Sequence, residues 1–406
     1  MLRWRMLLLL FVARVGLGFQ FQTMGSVGDD FVREFGLDHA AVGTLIGLFM
    51  LPGLFLAIPA GLLGRYCPDR LLCGGGLAAL AVGGLIAGFA PDPWLVGAGR
   101  MVCGLGFVFS TLYFVKMTVD WFVGREIATA MAILVMSWPF GIAMGQIAHE
   151  WLAATGSWRW PFFVASAYCA FGALAIFALY RPPPAPPAPP APEHVLAGAT
   201  KPKPAHAWAL LSRRELSLTL IAALIWGFFN AGYVIYLNFG PAMLEAKGYG
   251  PVEAAAVISI ASWVMIFSGA VCGQITDRTR KPAIVVAVAM VVAMAALAAL
   301  GQSGADVWAS LAFGLIGMAP AGVIMALTGE AMRPESRAIG MGVFFTGYYV
   351  IMTAAPPLAG WLYDQSGDPF APLQLGVAMF ALVLLAYLGF RLAKGRLAKG
   401  RLEVLR

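Results

Sequence analysis

Residues 182–214 read PPPAPPAPPAPEHVLAGATKPKPAHAWALLSRR, and this stretch divides the chain. Proline has a fixed φ and no backbone N–H, so a Pro-rich run is extended, semi-rigid and unable to continue a helix. Working outward from it, six long apolar runs lie on each side. They fall near residues 6–27, 40–63, 71–90, 94–118, 127–150 and 161–180, then 216–239, 252–275, 282–301, 306–328, 338–360 and 372–390. Each approaches the roughly 20 apolar residues an α-helix needs to cross a bilayer. The expected organisation is a six-helix bundle over 1–180, a linker over 181–214, a second six-helix bundle over 215–390 and a basic tail over 391–406. The linker reads as a plain spacer rather than a docking peptide.

The 406 residues are 60% hydrophobic and only 12% charged, and mean hydropathy is +0.81. A soluble globule of this make-up would present a mostly apolar surface, which excludes that class. The runs are too long and too uniformly apolar for barrel strands. The expected fold class is therefore an all-α polytopic membrane protein with 12 transmembrane helices. The net charge of +7 does not point to nucleic acid, because its distribution has a simpler meaning. One side collects Arg3, Arg5, Arg65, Arg70, Arg125, Arg181, Lys201, Lys203, Arg213, Arg214, Arg278, Arg280, Lys281, Arg333, Arg337 and the six basic residues after Phe390. The other side holds Arg33, Arg100, Arg159 and Lys247. The positive-inside rule then places both termini in the cytoplasm of a multi-pass protein of the cell inner (plasma) membrane. The first run is too long for a signal peptide, is interrupted by Arg14, and has no small-residue cleavage site after it.

Cys67, Cys73, Cys103, Cys169 and Cys272 show neither metal-ligand nor disulfide spacing, and no histidine occupies the middle of a run. No cofactor, metal or enzymatic chemistry is expected, for want of paired acids or an activated nucleophile.

The two halves echo each other. GLLGRYCPDR after run 2 (61–70) corresponds to GQITDRTRK after run 8 (273–281), and WFVGREIATAM after run 4 corresponds to MRPESRAIGM after run 10. Repeated halves joined by a linker are a transporter signature, with the substrate site expected near midplane between them.

These motifs resemble the major facilitator superfamily. Gly273, Asp277, Arg278 and Lys281 match its loop motif G-x-x-x-D-R-x-x-K, while the first-half copy has Arg65 where the family's Asp would stand. Arg100, Gly104 and Gly106 resemble R-x-x-x-G-x-G of helix 4. SWRWPF (157–162) resembles the start of helix 6, and PPLAGW (356–361) the end of helix 11. GREIATAMAILVMSWPFGIA is faintly like the cyanate and nitroimidazole branch. The resemblance implies alternating access by rocking of two bundles, with helices 1, 4, 7 and 10 lining the cavity. It also implies a gate of Gly273, Asp277, Arg278 and Arg100 that holds the cytoplasmic side closed.

Within the runs, Arg14 stands out, because its apolar surroundings contain no Asp or Glu. A guanidinium at that depth costs roughly 2.5–3.5 kcal/mol unless protein or water solvates it. It either binds an anion or bonds neighbouring helices and orients helix 1. Helical spacing puts Arg14, Gly18, Phe21 and Gly25 on one stripe with Gln22 at its edge. Trp226, Asn230 and Tyr233 share a face of run 7, with Tyr236 and Asn238 read as packing and interfacial residues. Lys116 lies one turn from Tyr113 and Asp120; it either snorkels and pairs with Asp120 or adds positive charge to the inner cavity mouth.

Every acidic residue falls in a loop or near a run's end, Glu150 among them. With no membrane-embedded carboxylate to hold a proton or a cation, the expected substrate is a small anionic or weakly acidic solute bound by Arg14, Gln22, Tyr113, Lys116, Trp226, Asn230 and Tyr233. A coupling proton or counter-anion and membrane lipid complete the expected partners, and no nucleic acid is among them. Two alternatives stay open: a drug or metabolite efflux permease with a structural Arg14, and a transport-inactive membrane sensor or scaffold.

Overall fold

The computed structural model describes residues 2–64, 66–122, 126–183, 211–300, 302, 304–333 and 336–404. The Pro-rich stretch from 184 to 210, Arg65 and Arg125 lie outside them. Among the described residues, twelve helices are long and apolar enough to cross a membrane. They are α1 (Leu2–Ser26), α2 (His39–Leu63), α3 (Asp69–Phe89), α4 (Pro93–Phe122), α5 (Thr129–Thr155) and α6 (Arg159–Leu179). The second set is α7 (Arg213–Ala246), α8 (Pro251–Thr279), α9 (Pro282–Leu300), α10 (Asp306–Ala331), α11 (Ile339–Ser366) and α12 (Ala371–Gly395). Only helices satisfy every backbone polar group within one segment, which is what lipid demands.

Each set packs as a bundle, and corresponding pairs recur: α3 lies against α4 and α6, α1 against α5, α7 against α11 and α12, and α9 against α12. The halves meet where α2 packs on α11 and α5 on α8. Glycine permits the first of these contacts. A Cβ at Gly43 would stand 2.2 Å from the Pro356 carbonyl oxygen, one at Gly47 2.4 Å from that of Thr353, and one at Gly360 1.9 Å from that of His39. Small residues let backbones approach in this way where no hydrophobic force drives helices together.

Proline shapes the helices without ending them. α7 continues through Pro241 to Ala246, and α11 through Pro356 and Pro357 to Ser366, both beyond the run ends read from hydropathy. α10 is interrupted by a π-helical turn at Phe313–Gly317, just before Pro320.

At the end of the molecule that carries the termini, each half pins its fourth connection to its first helix. In the first half Arg3 pairs with Glu126 at 2.9 Å. In the second, Glu215 accepts from Arg333 Nε at 2.9 Å, Arg333 N at 3.1 Å and Ser336 Oγ at 2.7 Å. Glu215 also closes a capping box with Ser212 that starts α7.

Candidate functional site

α1 and α5 touch backbone to backbone. A Cβ at Gly18 would lie 2.4 Å from the Trp138 carbonyl oxygen, and one at Gly141 2.2 Å from that of Val15. This approach brings Gln22 of α1 against Gly145 and His149 of α5, while Asn238 of α7 reaches Gly25 from the other half. Pro241 has no N–H for the Leu237 carbonyl, and Gln146 Nε2 supplies that bond across the halves at 2.8 Å.

The result is a buried polar cluster with unused hydrogen-bonding capacity. His149 Nε2 donates to the Phe19 carbonyl at 2.9 Å, which leaves Nδ1 of the neutral ring as a bare acceptor. Asn238 Nδ2 donates to Val234 O at 2.7 Å, and its Oδ1 has no partner among the described residues. Gln146 Oε1 and both amide atoms of Gln22 are likewise unpartnered. A buried polar atom left unbonded costs about 1–3 kcal/mol. Four of these five atoms are acceptors, so the cluster is built to receive donors.

Asn238 and Gly25 also line a cavity of about 380 Å³ between the halves, at the end away from the termini. Its walls carry Asp29, Asp30 and Glu150 from the first half and Glu245 from the second. Asp30 pairs with Arg33. The remaining ring group, His39, is engaged by Asp364 at 2.7 Å and stacks on Tyr363 at 3.8 Å. Asp29, Glu150 and Glu245 have no ion-pair partner among the described residues. The Asp29 carboxyl, outside the spans, is held above its ordinary range by desolvation and by neighbouring Asp30, against the pull of His39 and Arg33.

This arrangement corrects the reading that every acid sits at a helix end. α5 continues past Glu150 to Thr155, so that carboxylate belongs to the span and faces the cavity.

Arg14 lies outside this cavity's lining. Its Nη1 donates to Leu134 O at 2.7 Å, Val135 O at 3.4 Å and Ser137 Oγ at 2.9 Å. Pro139 accounts for one of these contacts, because it deprives Val135 O of its own helical donor. Arg14 Nε has no partner among the described residues. Arg100, fully buried, bonds Leu45 O, Gln20 O, Phe21 O and Thr23 Oγ1 and lies over Phe49, so all its partners belong to the first half.

The other expected residues scatter. Tyr113 donates to Ala60 O at 2.8 Å, tying α4 to α2. Lys116 is exposed and shared by Asp69 and Asp120. Tyr233 bonds Ser262 at 2.7 Å, and Asn230 bonds back to Trp226 O at 2.8 Å in its own helix. Trp226 is half-buried against Phe229 and Tyr348. Gly273 lies in α8, with Asp277 and Arg278 exposed near its end. Of the residues expected to bind substrate, only Gln22 enters the polar cluster. Hydropathy passes over Gln146 and leaves His149 and Asn238 at run ends; the available signal is Gln146 and His149 three apart beside the glycines of α5.

A membrane chain of two repeated six-helix bundles, with a polar site between them, defines a class of permease architecture. The chain belongs to the Major Facilitator Superfamily, whose family model matches residues 7–350. An uncharacterized MFS-type transporter of Mycobacterium tuberculosis (strain CDC 1551 / Oshkosh) is 24% identical over 277 residues, which is 66% of this chain and 58% of the relative's own length. Among solved structures, a mutant form of the nucleoside transporter NupG superposes with a TM-score of 0.73 at 14% identity, covering 97% of this chain and 100% of the other. A bacterial homolog of the human lysosomal transporter Spinster, inward-facing and unoccupied, gives 0.72 at 16% identity over 98% of each chain. At these identities the likeness is one of fold.

Proposed function

We propose that this chain is a secondary transporter that moves a small polar solute between its halves by alternating access. One observation carries the reading. The side-chain hydrogen bonds joining described residues of the two halves are His39 and Ala40 to Asp364 and Gln146 to Leu237, and all lie at the end away from the termini. Halves joined by hydrogen bonds at one end only suit one of the two states that alternation requires. With the basic loops in the cytoplasm, the latched end faces outward. Asp277 and Arg278, exposed here, serve the complementary latch at the cytoplasmic end in the other state, with Gly273 and Arg100 supporting it. The solute is gripped by Gln22, Gln146, His149 and Asn238.

Spin-label pairs across each end of the full-length protein in lipid nanodiscs test this. Two distance populations that change in opposite senses at the two ends are expected. A single fixed distance at both ends would instead leave a transport-inactive sensor or scaffold.

A second reading has its own support: Arg14 has no acidic partner among the described residues, and its Nε is unbonded. A small anionic or weakly acidic solute would supply the missing charge. On this reading Arg14→Lys, which loses the planar fork, abolishes uptake of the anion while folding is retained; unchanged uptake would reject it.

A further inference from the structure

We infer that the cavity at the end away from the termini is a binding site for a small organic ammonium ion. This rests on the proposed transport reading only in treating that cavity as part of the solute's path. Arg33 cancels Asp30, and His39 is committed to Asp364. Asp29, Glu150 and Glu245 remain, three carboxylates on separate elements, with no ion-pair partner among the described residues. A metal ion is not what they suit. No group of three His, Cys, Asp or Glu among the described residues has metal-binding spacing, and about 380 Å³ exceeds the room one ion needs.

The second line of argument is independent of the acids. Asn238 is 9% exposed and lines the cavity, and its Oδ1 has no partner. Behind it stand Gln22 Oε1, Gln146 Oε1 and His149 Nδ1, also unbonded. Gln22 Nε2 lies 2.8 Å from the position a Cβ on Gly25 would take, and Gly25 is itself a lining residue, so the cluster abuts the cavity wall at Gly25 and Asn238. An excess of acceptors calls for a group with several donors, and three carboxyl groups without a basic partner favour a cation. A primary ammonium meets both demands with three N–H donors and one positive charge. Because Glu245 comes from α7 while Asp29 and Glu150 come from the first half, an ammonium bound among them draws the halves together and favours the latched end.

The test uses full-length protein in nanodiscs, titrated calorimetrically with n-butylammonium, tetraethylammonium and butyrate. Butylammonium is expected to bind and butyrate not to. The double variant Glu150→Gln, Glu245→Gln should weaken butylammonium about tenfold or more. Asn238→Leu should erase the preference for butylammonium over tetraethylammonium, which has no N–H to donate. Should the double variant misfold, Asp29→Asn on the short helix Gly28–Phe35 replaces it, with a smaller loss in the same direction. Butyrate binding, absence of ammonium binding, or equal affinity in wild type and variants would overturn the inference. Spin-label distances separate it from the transport reading. Switching distances without ammonium binding sink this inference alone, and ammonium binding with fixed distances sinks only alternation.

Discussion

Asp364 caps a helix of the other half: its Oδ1 accepts from the backbone N–H of His39 at 3.0 Å and from the His39 ring at 2.7 Å. Its Oδ2 accepts from Ala40 N at 2.8 Å. The first amides of a helix have no intrahelical partner, and a carboxylate is their preferred acceptor. Removing it should therefore unlatch this end. With Asp364→Ala, labels at Leu37 and Asp368 should move to a longer mean distance, as about 1–3 kcal/mol of closure is lost. An unchanged distance distribution would show that the cap does not latch.

The α2–α11 contact predicts a steric block. Gly43→Ala places a methyl 2.2 Å from the Pro356 carbonyl oxygen, so the halves cannot close there without a backbone shift. The same label pair should report the open form. Gly75→Ala on α3, where no atom lies within 4 Å of the new Cβ, is the control and should leave the distances as they are.

Arg14 and Pro139 should be coupled. Arg14→Gln removes the donor that serves Leu134 O and Val135 O, and should lower stability by about 1–3 kcal/mol. Pro139→Ala restores the N–H that Val135 O lacks, so Arg14→Gln should cost less in that background. Thermal unfolding of the four proteins gives the coupling directly; strict additivity would refute it.

The two terminal-end pins should differ in strength. Glu215 is buried with several donors around it, so Glu215→Ala should lower stability by about 1–3 kcal/mol. Arg3 and Glu126 are half-exposed, and Glu126→Gln should cost below about 1 kcal/mol. Equal losses in thermal unfolding would contradict this.

Acidity should favour the latched end. The Asp29 carboxyl is raised by its surroundings in this state, so the latched form holds the proton more tightly than an open, hydrated form. That contribution is complete below the ordinary carboxylate range and disappears as pH climbs through the raised value. Label distances measured against pH should lengthen with rising pH, and Asp29→Asn should flatten the curve. The opposite slope would exclude the effect.

The fold is legible because lipid leaves so few choices: a run of apolar residues near Leu7 or Val286 can only be a helix, and the Pro-rich stretch can only divide them. Helix ends at Pro241 and Pro356 are less legible, since a side chain elsewhere in the bundle can take over the bond that proline forfeits. For the site, hydropathy draws attention to Arg14, the most discordant residue, yet its partners are oxygens of α5 just before Pro139. Gln146 and Asn238 look ordinary in sequence, because their significance lies in which atoms stay unbonded once two helices from different halves meet. Glu150 misleads for a related reason: the apolar run ends there, but the helix does not.

The pins at the terminal end carry opposite polarity, a cation on the first helix of one half and an anion on that of the other. The two bundles are built from similar helices. If α1 were to settle into the later bundle, Arg3 would meet Arg333; if α7 took the earlier one, Glu215 would meet Glu126. Like charges facing each other disfavour both exchanges. A duplicated architecture thus keeps its two copies from borrowing each other's parts.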